Sequence, residues 1–408
     1  ITVYYTFYDM GIDYINTDNP EACAAFFADF GNKNFRIGDR RTAAAGVTGT
    51  ERLDKTTHDF RGFQNDKLRL SKGIDIYRPT YLNDGGEGRI RNVIFLIGDG
   101  MGLSQIVAAA YANKGLTLMN FNHIGLQRNN AKGYFTTDSA AGGSALATGE
   151  RHANRHISTS EEGQPYPSLS DHFREKGLPV GVVTLGNVAD ATPAAFYGHP
   201  SRELKLVGIA DELTRCLLDA PVDLLCGSGI RQFTERGDGL DMEKELAKNY
   251  RFVRSIDRIN DAKGKVVCID ERMEAAAEEA NLPLLAEATR AAIDKLQERG
   301  DGGFFLMVEG AKIDYAGHSR CLPGSVIEML KFAASNGETL VVVTADHETG
   351  GLTLLDGDEQ TGRITGIYVS DDHTPVMLPV FAYGPGADRF CGTYLNTEIA
   401  RRIRSLTE

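Results

Sequence analysis

The chain has 408 residues, 42% hydrophobic and 25% charged, enough for one large domain or two ordinary ones, each with its own core. A formal charge of −12, from 56 acidic and 44 basic residues, repels polyphosphate backbones and argues against nucleic-acid binding as a primary role. It leaves a phosphate site open, because bound cations reverse the sign locally. No run approaches the roughly 20 apolar residues of a membrane helix.

Residues 1–88 read as an N-terminal extension and 89–408 as the main domain. Within the extension, Gly11-Ile12-Asp13-Tyr14-Ile15-Asn16-Thr17-Asp18-Asn19-Pro20 gives residues 8–27 a short resemblance to the C-terminal end of glycerophosphodiester phosphodiesterase barrels. None of that family's catalytic positions falls in the stretch, so the resemblance implies a remnant of a fused domain and no activity. Residues 33–90 are rich in Gly, Arg, Asp and Thr with weak periodicity, and Asn83–Gly88 is a linker signal. The chain opens at Ile1 without methionine, which reads as a trimmed or matured product.

Further along, short apolar runs recur at Val93–Ile97, Val180–Leu185, Phe304–Val308, Leu340–Thr344 and Leu378–Tyr383. Runs of this length and composition predict strands buried on both faces. Helical spacing predicts helices over Leu284–Glu298, ending at Gly300, and Ser325–Ser335, ending at Gly337. The alternation predicts an α/β fold, three-layered α/β/α around a mostly parallel sheet. Residues 204–300 are more polar and read as a variable, more helical periphery. Six cysteines at 23, 216, 226, 268, 321 and 391 form no CxxC pair, which speaks against a thiolate zinc module. The spacing of Cys216 and Cys226 leaves one disulfide open.

Ligands of open α/β sheets bind beyond the carboxyl ends of the strands. There, Val93–Ile97 runs into Gly98-Asp99-Gly100-Met101-Gly102, Phe304–Val308 into Glu309-Gly310, and Leu340–Thr344 into Ala345-Asp346-His347. Singly, these pieces have plain readings: a tight turn or nucleotide loop for the glycines, a helix cap for Asp346-His347. Asp314 and His318, four apart, could be a helical charge pair, and His373 a loop residue. Together they bring like charges to one sheet edge, where repulsion demands a cation. Imidazole and carboxylate without thiolate suit catalytic zinc, and four carboxylates need several ions.

A second centre is Thr137-Asp138-Ser139-Ala140-Ala141-Gly142-Gly143-Ser144-Ala145-Leu146-Ala147-Thr148-Gly149. It reads either as a small-residue packing helix or as a helix that opens on Ser139, where free N–H groups favour an alkoxide and an incoming phosphate. A serine hydroxyl needs activation. With no GxSxG elbow in the chain, a metal is the natural activator.

With IGDGMG at 97–102, TDSAAGGSALATG at 137–149, DATPAAF at 190–196, VEGAKIDYAGH at 308–318, TADHETGG at 344–351 and DHTP at 372–375, the chain resembles the alkaline phosphatases from about Arg91 to its end. The resemblance implies two zinc ions and one magnesium, with phosphate monoesters as substrates. One zinc would be held by Asp314, His318 and His373, the other by Asp99, Asp346 and His347 with Ser139 as exchangeable ligand. Magnesium would take Asp99, Thr192 and Glu309, with Asp190 acting through water; hard oxygen ligands suit that ion. Ser139 would be the nucleophile that passes through a phosphoserine, and Arg202 would clamp the phosphate, a bidentate match. Asp138, Asp190 and Tyr315 would stand near the substrate. Four carboxylates at about −4 against three divalent ions at about +6 leave the pocket attractive to a phosphate dianion. By the same resemblance the enzyme is expected in the periplasm or secreted, with room for a homodimer.

Tyr315 departs from the Lys, His or Trp that family members carry, so phosphate affinity and product release are expected to differ. The segment Arg320–Gly324 is short. The readings weighed against a monoesterase are a phosphodiesterase or sulfatase of the same superfamily and a non-catalytic zinc- or phosphate-binding protein. Ser139, Thr192, Glu309 and Arg202 together favour monoester cleavage.

Overall fold

The structure is a computed structural model that describes residues 61–65, 76–200, 209–219, 221–274, 283–318 and 336–408. The barrel-like stretch 8–27, the helix expected at Ser325–Ser335, the segment Arg320–Gly324 and Arg202 lie outside them.

Fifteen strands occur among the described residues. The first seven are β1 Arg61–Asn65, β2 Asn92–Ile97, β3 His123–Arg128, β4 Val180–Asn187, β5 Leu224–Ser228, β6 Tyr250–Val253 and β7 Lys265–Ile269. The next four are β8 Phe305–Glu309, β9 Thr339–Thr344, β10 Glu348–Thr349 and β11 Leu352–Asp358. The last are β12 Arg363–Tyr368, β13 His373–Thr374, β14 Leu378–Tyr383 and β15 Gly392–Leu395. Ten of them form one sheet in the order β15-β3-β14-β9-β2-β8-β4-β5-β7-β6. Within it only β14 runs antiparallel to its neighbours.

The continuous apolar runs follow from burial on both faces. In β2, Val93, Phe95 and Ile97 enter one core while Ile94 and Leu96 enter the other. Against the first face pack the helices α2 Ser139–Thr148, α3 Leu169–Glu175, α4 Ala191–Ala194 and α7 Thr397–Leu406. Against the second pack α1 Leu103–Ala112 and α5 Pro283–Arg299, with Ile313 of α6 Lys312–His318. This is the three-layer α/β/α expected, and all five expected strands and the helix beginning at Leu284 are present.

Residues 204–300 hold more sheet than their polarity suggested. They supply β5, β7 and β6, which extend the same sheet at one edge. Cys226 on β5 stands opposite Cys268 on β7, with its sulfur 3.9 Å from that of Met273. Cys216 and Cys226 are both free thiols; the open disulfide is not formed, because Cys226 points into the core. Asn83–Gly88, which carries the linker signal, is a turn fastened to the loop after β14, where Asp84 accepts from the Gly384 N–H at 3.0 Å. Among the described residues no helix is long and apolar enough to cross a membrane.

The first core centres on Phe305, fully buried and stacked on Phe173 (centroids 5.0 Å, planes at 18°) and Phe196 (6.1 Å, 24°). Removing that ring leaves a cavity between the sheet and the helices on its first face. Phe305→Ala is expected to cost about 3–5 kcal/mol, read as a lowered midpoint of urea unfolding; a loss below about 1 kcal/mol would contradict the packing.

Candidate active site

The parallel register builds the site. Ile97 of β2 pairs with Glu309 on one side and Thr344 on the other, so these three strands end at one level. Asp99, Glu309 and the pair Asp346-His347 therefore emerge together. All four are buried.

The ends are held by side chains that no motif singled out. From β3, Gln127 donates to Thr344 Oγ1 at 2.7 Å and to the Ala345 carbonyl at 2.6 Å, and Asn129 donates to the Asp346 carbonyl at 3.1 Å. Asp346 Oδ1 accepts from the backbone N–H of His347 (2.9 Å) and of Gly100 (3.3 Å). Gly100 has φ +71°, and a Cβ there would stand 2.9 Å from Asp314 Cα. Only glycine fits both conditions. On the other side, a Cβ at Gly142 of α2 would lie 3.0 Å from the Asp346 carbonyl oxygen, so the small-residue pattern lets the serine helix approach.

The hydrogen bonds place a hydrogen on Nδ1 of both imidazoles. Thr349 Oγ1 gives its one hydrogen to the Asp314 carboxylate, so at 3.1 Å it can only accept from His347 Nδ1–H. His347 Nε2, which carries the lone pair in the neutral ring, is 3.2 Å from Asp99 Oδ1, 3.3 Å from Asp346 Oδ2 and 2.9 Å from Ser139 Oγ. His373 Nδ1–H likewise donates to the Thr137 carbonyl at 3.0 Å, turning Nε2 toward Asp314 Oδ1 at 3.7 Å. The two rings stack with centroids 3.4 Å apart. Fixing the tautomer through the second ring nitrogen is how metal-binding histidines are prepared.

Two groups of ligand atoms result, Asp99/Asp346/His347 and Asp314/His347/His373, each within 4.8 Å. The second holds Asp314 and His373 of the expected first-zinc set together with His347. His318 ends α6, and its side chain is outside the described residues. Of the oxygen-rich third group, Thr192 Oγ1 lies 3.4 Å from Asp99 Oδ2 and 3.5 Å from Asp346 Oδ2, while Glu309 accepts from Thr184 and stands near enough for its charge to act on Asp99.

These donors fit cations. Asp99 Oδ1 is buried without a hydrogen-bond donor among the described residues. Burial foremost, then the charges of Asp346, Asp314 and Glu309, hold the Asp99 carboxyl well above its usual range. Burial, with the charges of Asp190 and Asp346, pushes Glu309 up to about 8; burial and Asp314 push Asp346 up to about 6. Burial and the neighbouring His347 lower His373 to about 4. Electron pairs this close need protons or metal ions between them, and imidazole-carboxylate and all-oxygen sets suit zinc and magnesium respectively.

Ser139 is the first residue of α2. Asp138, expected near the substrate, is the helix cap: its carboxylate accepts from Ala141 N–H at 2.8 Å and Arg155 N–H at 2.7 Å. It sets the position of Ser139. Asp190 sits at the start of α4, two residues from Thr192, and accepts from the Tyr315 hydroxyl.

In the metal-free protein Asp346 and Glu309 keep protons to about pH 6 and 8, whereas an unfolded chain loses them near pH 4. The native state then binds more protons, so its stability is full below about pH 4 and lost as pH rises through those values. The Tm of chelated protein is expected to fall across pH 5–8, and loading with zinc and magnesium is expected to remove the slope. Parallel profiles would mean the carboxylates hold no cations.

The alkaline phosphatase family profile matches residues 90–366. The chain is 31% identical to streptomycin-6-phosphate phosphatase of Streptomyces griseus, over 78% of this chain and 91% of that one. It is 28% identical to alkaline phosphatase 4 of Bacillus subtilis, over 78% and 88%. Among solved structures, alkaline phosphatase from the Antarctic bacterium TAB5 superposes with TM-score 0.69 at 29% identity, covering 78% of this chain and 99% of that one. A variant of the TAB5 enzyme with magnesium bound in its M3 site gives 0.70 at 30% identity, covering 78% and 98%.

Proposed function

Since the chain belongs to the alkaline phosphatase family and is a metal-dependent phosphate monoester hydrolase, we propose that it works through a phosphoserine on Ser139, with zinc at Asp314/His318/His373 and at Asp99/Asp346/His347 and magnesium at Asp99/Thr192/Glu309. The observation that carries this reading is Ser139 Oγ, at the start of α2, 2.9 Å from His347 Nε2.

Bound at these groups, the ions supply Lewis-acid charge that lowers the hydroxyl's pKa, offsets the phosphate dianion and eases departure of the leaving oxygen. The rest falls to the chain. Asp138 holds Ser139 at the helix terminus, where unpaired N–H groups face the phosphate oxygens. Ser139 Oγ gives its proton to solvent and bonds to phosphorus as the bond to the leaving-group oxygen breaks, and that oxygen takes a proton from solvent to leave as the alcohol. Water then attacks the phosphoserine, releasing inorganic phosphate and restoring the hydroxyl. Arg202 is proposed to grip two phosphate oxygens throughout. Positioning and fixed charge, rather than covalent work by many groups, carry the rate.

Ser139→Ala is expected to abolish labelling by a phosphoryl-labelled monoester and to lower kcat by at least about a thousandfold, with zinc content unchanged by mass spectrometry. Near wild-type turnover would overturn the nucleophile. Wild-type enzyme should prefer nitrophenyl phosphate to bis(nitrophenyl) phosphate; faster diester turnover would overturn monoesterase. With the resemblance go an address in the periplasm or outside the cell and assembly as a homodimer, to be checked by fractionation and light scattering.

A further inference from the structure

Behind the third oxygen-rich group runs a polar chain that the reaction above does not use. The Tyr315 hydroxyl donates its single hydrogen to Asp190 Oδ2. Lys312, one turn earlier on α6 and buried, places its ammonium 4.6 Å from the centroid of the Tyr315 ring. The same ammonium is 3.4 Å from Glu274 Oε1, and Glu274 Oε2 accepts from Ser228 Oγ at 2.7 Å. The chain thus runs from the end of β5, through the turn after β7, to α6 and on to the start of α4.

Its two ends matter. Asp190 precedes α4, which carries Thr192; Tyr315 follows Asp314, a member of one imidazole-carboxylate group. The Tyr315–Asp190 bond therefore ties the element bearing one group to the element bearing another. The lysine fixes the ring from behind and draws electron density off its face, which strengthens the phenol as a donor. Its ammonium pairs with Glu274, and its charge also reaches Asp190. A neutral hydroxyl in this place binds Asp190 without competing, as an ammonium would, with a cation for the carboxylate's charge.

We propose that Tyr315 is a positioning residue for the third cation site: by holding Asp190 Oδ2, it fixes the Asp190 carboxylate and the start of α4 so that magnesium and its water shell meet Asp190 beside Thr192 and Glu309. This rests on the magnesium assignment of the proposed function. Partners that orient a metal's surroundings typically change its affinity 10- to 100-fold.

The test is calorimetric titration of magnesium chloride into zinc-loaded protein for wild type, Tyr315→Phe, Asp190→Asn and the double variant. Tyr315→Phe is expected to weaken magnesium about tenfold alone and less than about twofold in the Asp190→Asn background, since its effect passes through that carboxylate. At limiting magnesium its kcat should fall with KM unchanged, and saturating magnesium should restore it, which a merely structural loss would not allow. A magnesium Kd within twofold of wild type, or equal losses in both backgrounds, would overturn the role of Tyr315. Wild type that binds no magnesium would instead overturn the magnesium site, and the proposal with it.

Discussion

Four buried carboxylates and two buried imidazoles share one small volume, and the rest of the site depends on what keeps them from driving each other apart. In a low-dielectric interior such groups ionise only against compensating charge. Here the described side-chain partners of Asp99 and Asp346 include His347, whose Nε2 in the neutral ring offers a lone pair and no proton. Lys312, two residues before Asp314, pairs with Glu274. Cations therefore complete the structure as much as the chemistry, and metal dependence follows from charge balance before any catalytic step is considered.

The fold makes that convergence cheap in chain entropy. Parallel register delivers three carboxylate-bearing strand ends at one level without a long loop. The tolerance is small: Gly100 and Gly142 sit where one extra carbon would strike the backbone of the ligand-bearing segments. Rigid strands and a capped helix thus hold the ligand atoms within 4.8 Å of one another, the preorganisation on which a charged transition state relies.

How much of this could be read beforehand depended on whether a residue's role was local. β2, β8 and β9 were legible because burial on both faces leaves an unbroken apolar run, and the acidic residues at their ends were legible as a group gathered at one sheet edge. β3 was not, since Ile124 and Leu126 face outward and its polar Gln127 points inward to grip β9. β5 to β7 were hidden because short strands among polar helices carry little periodicity. Thr184, Thr349 and Lys312 reach Glu309, Asp314 and Glu274, each more than 30 residues away, and little in their own neighbourhood announces those contacts. Asp138 was read by its place beside Ser139, yet both its oxygens accept from backbone N–H groups. His347 was assigned to one group but lies within reach of two.

That last point bears on how the site works as a unit. Thr349 stands between Asp314 and His347, giving its hydrogen to one and accepting from the other. A change in charge at Asp314 is therefore felt at the nitrogen that faces Ser139, through one hydroxyl that cannot reverse its direction while the carboxylate is ionised. The stacked His373 ring adds a second path, because protonating both imidazoles would place two cations face to face. The stacking disfavours a doubly protonated pair, and the two Nδ1 hydrogen bonds leave both Nε2 atoms directed at the same small volume, the orientation that ligation needs.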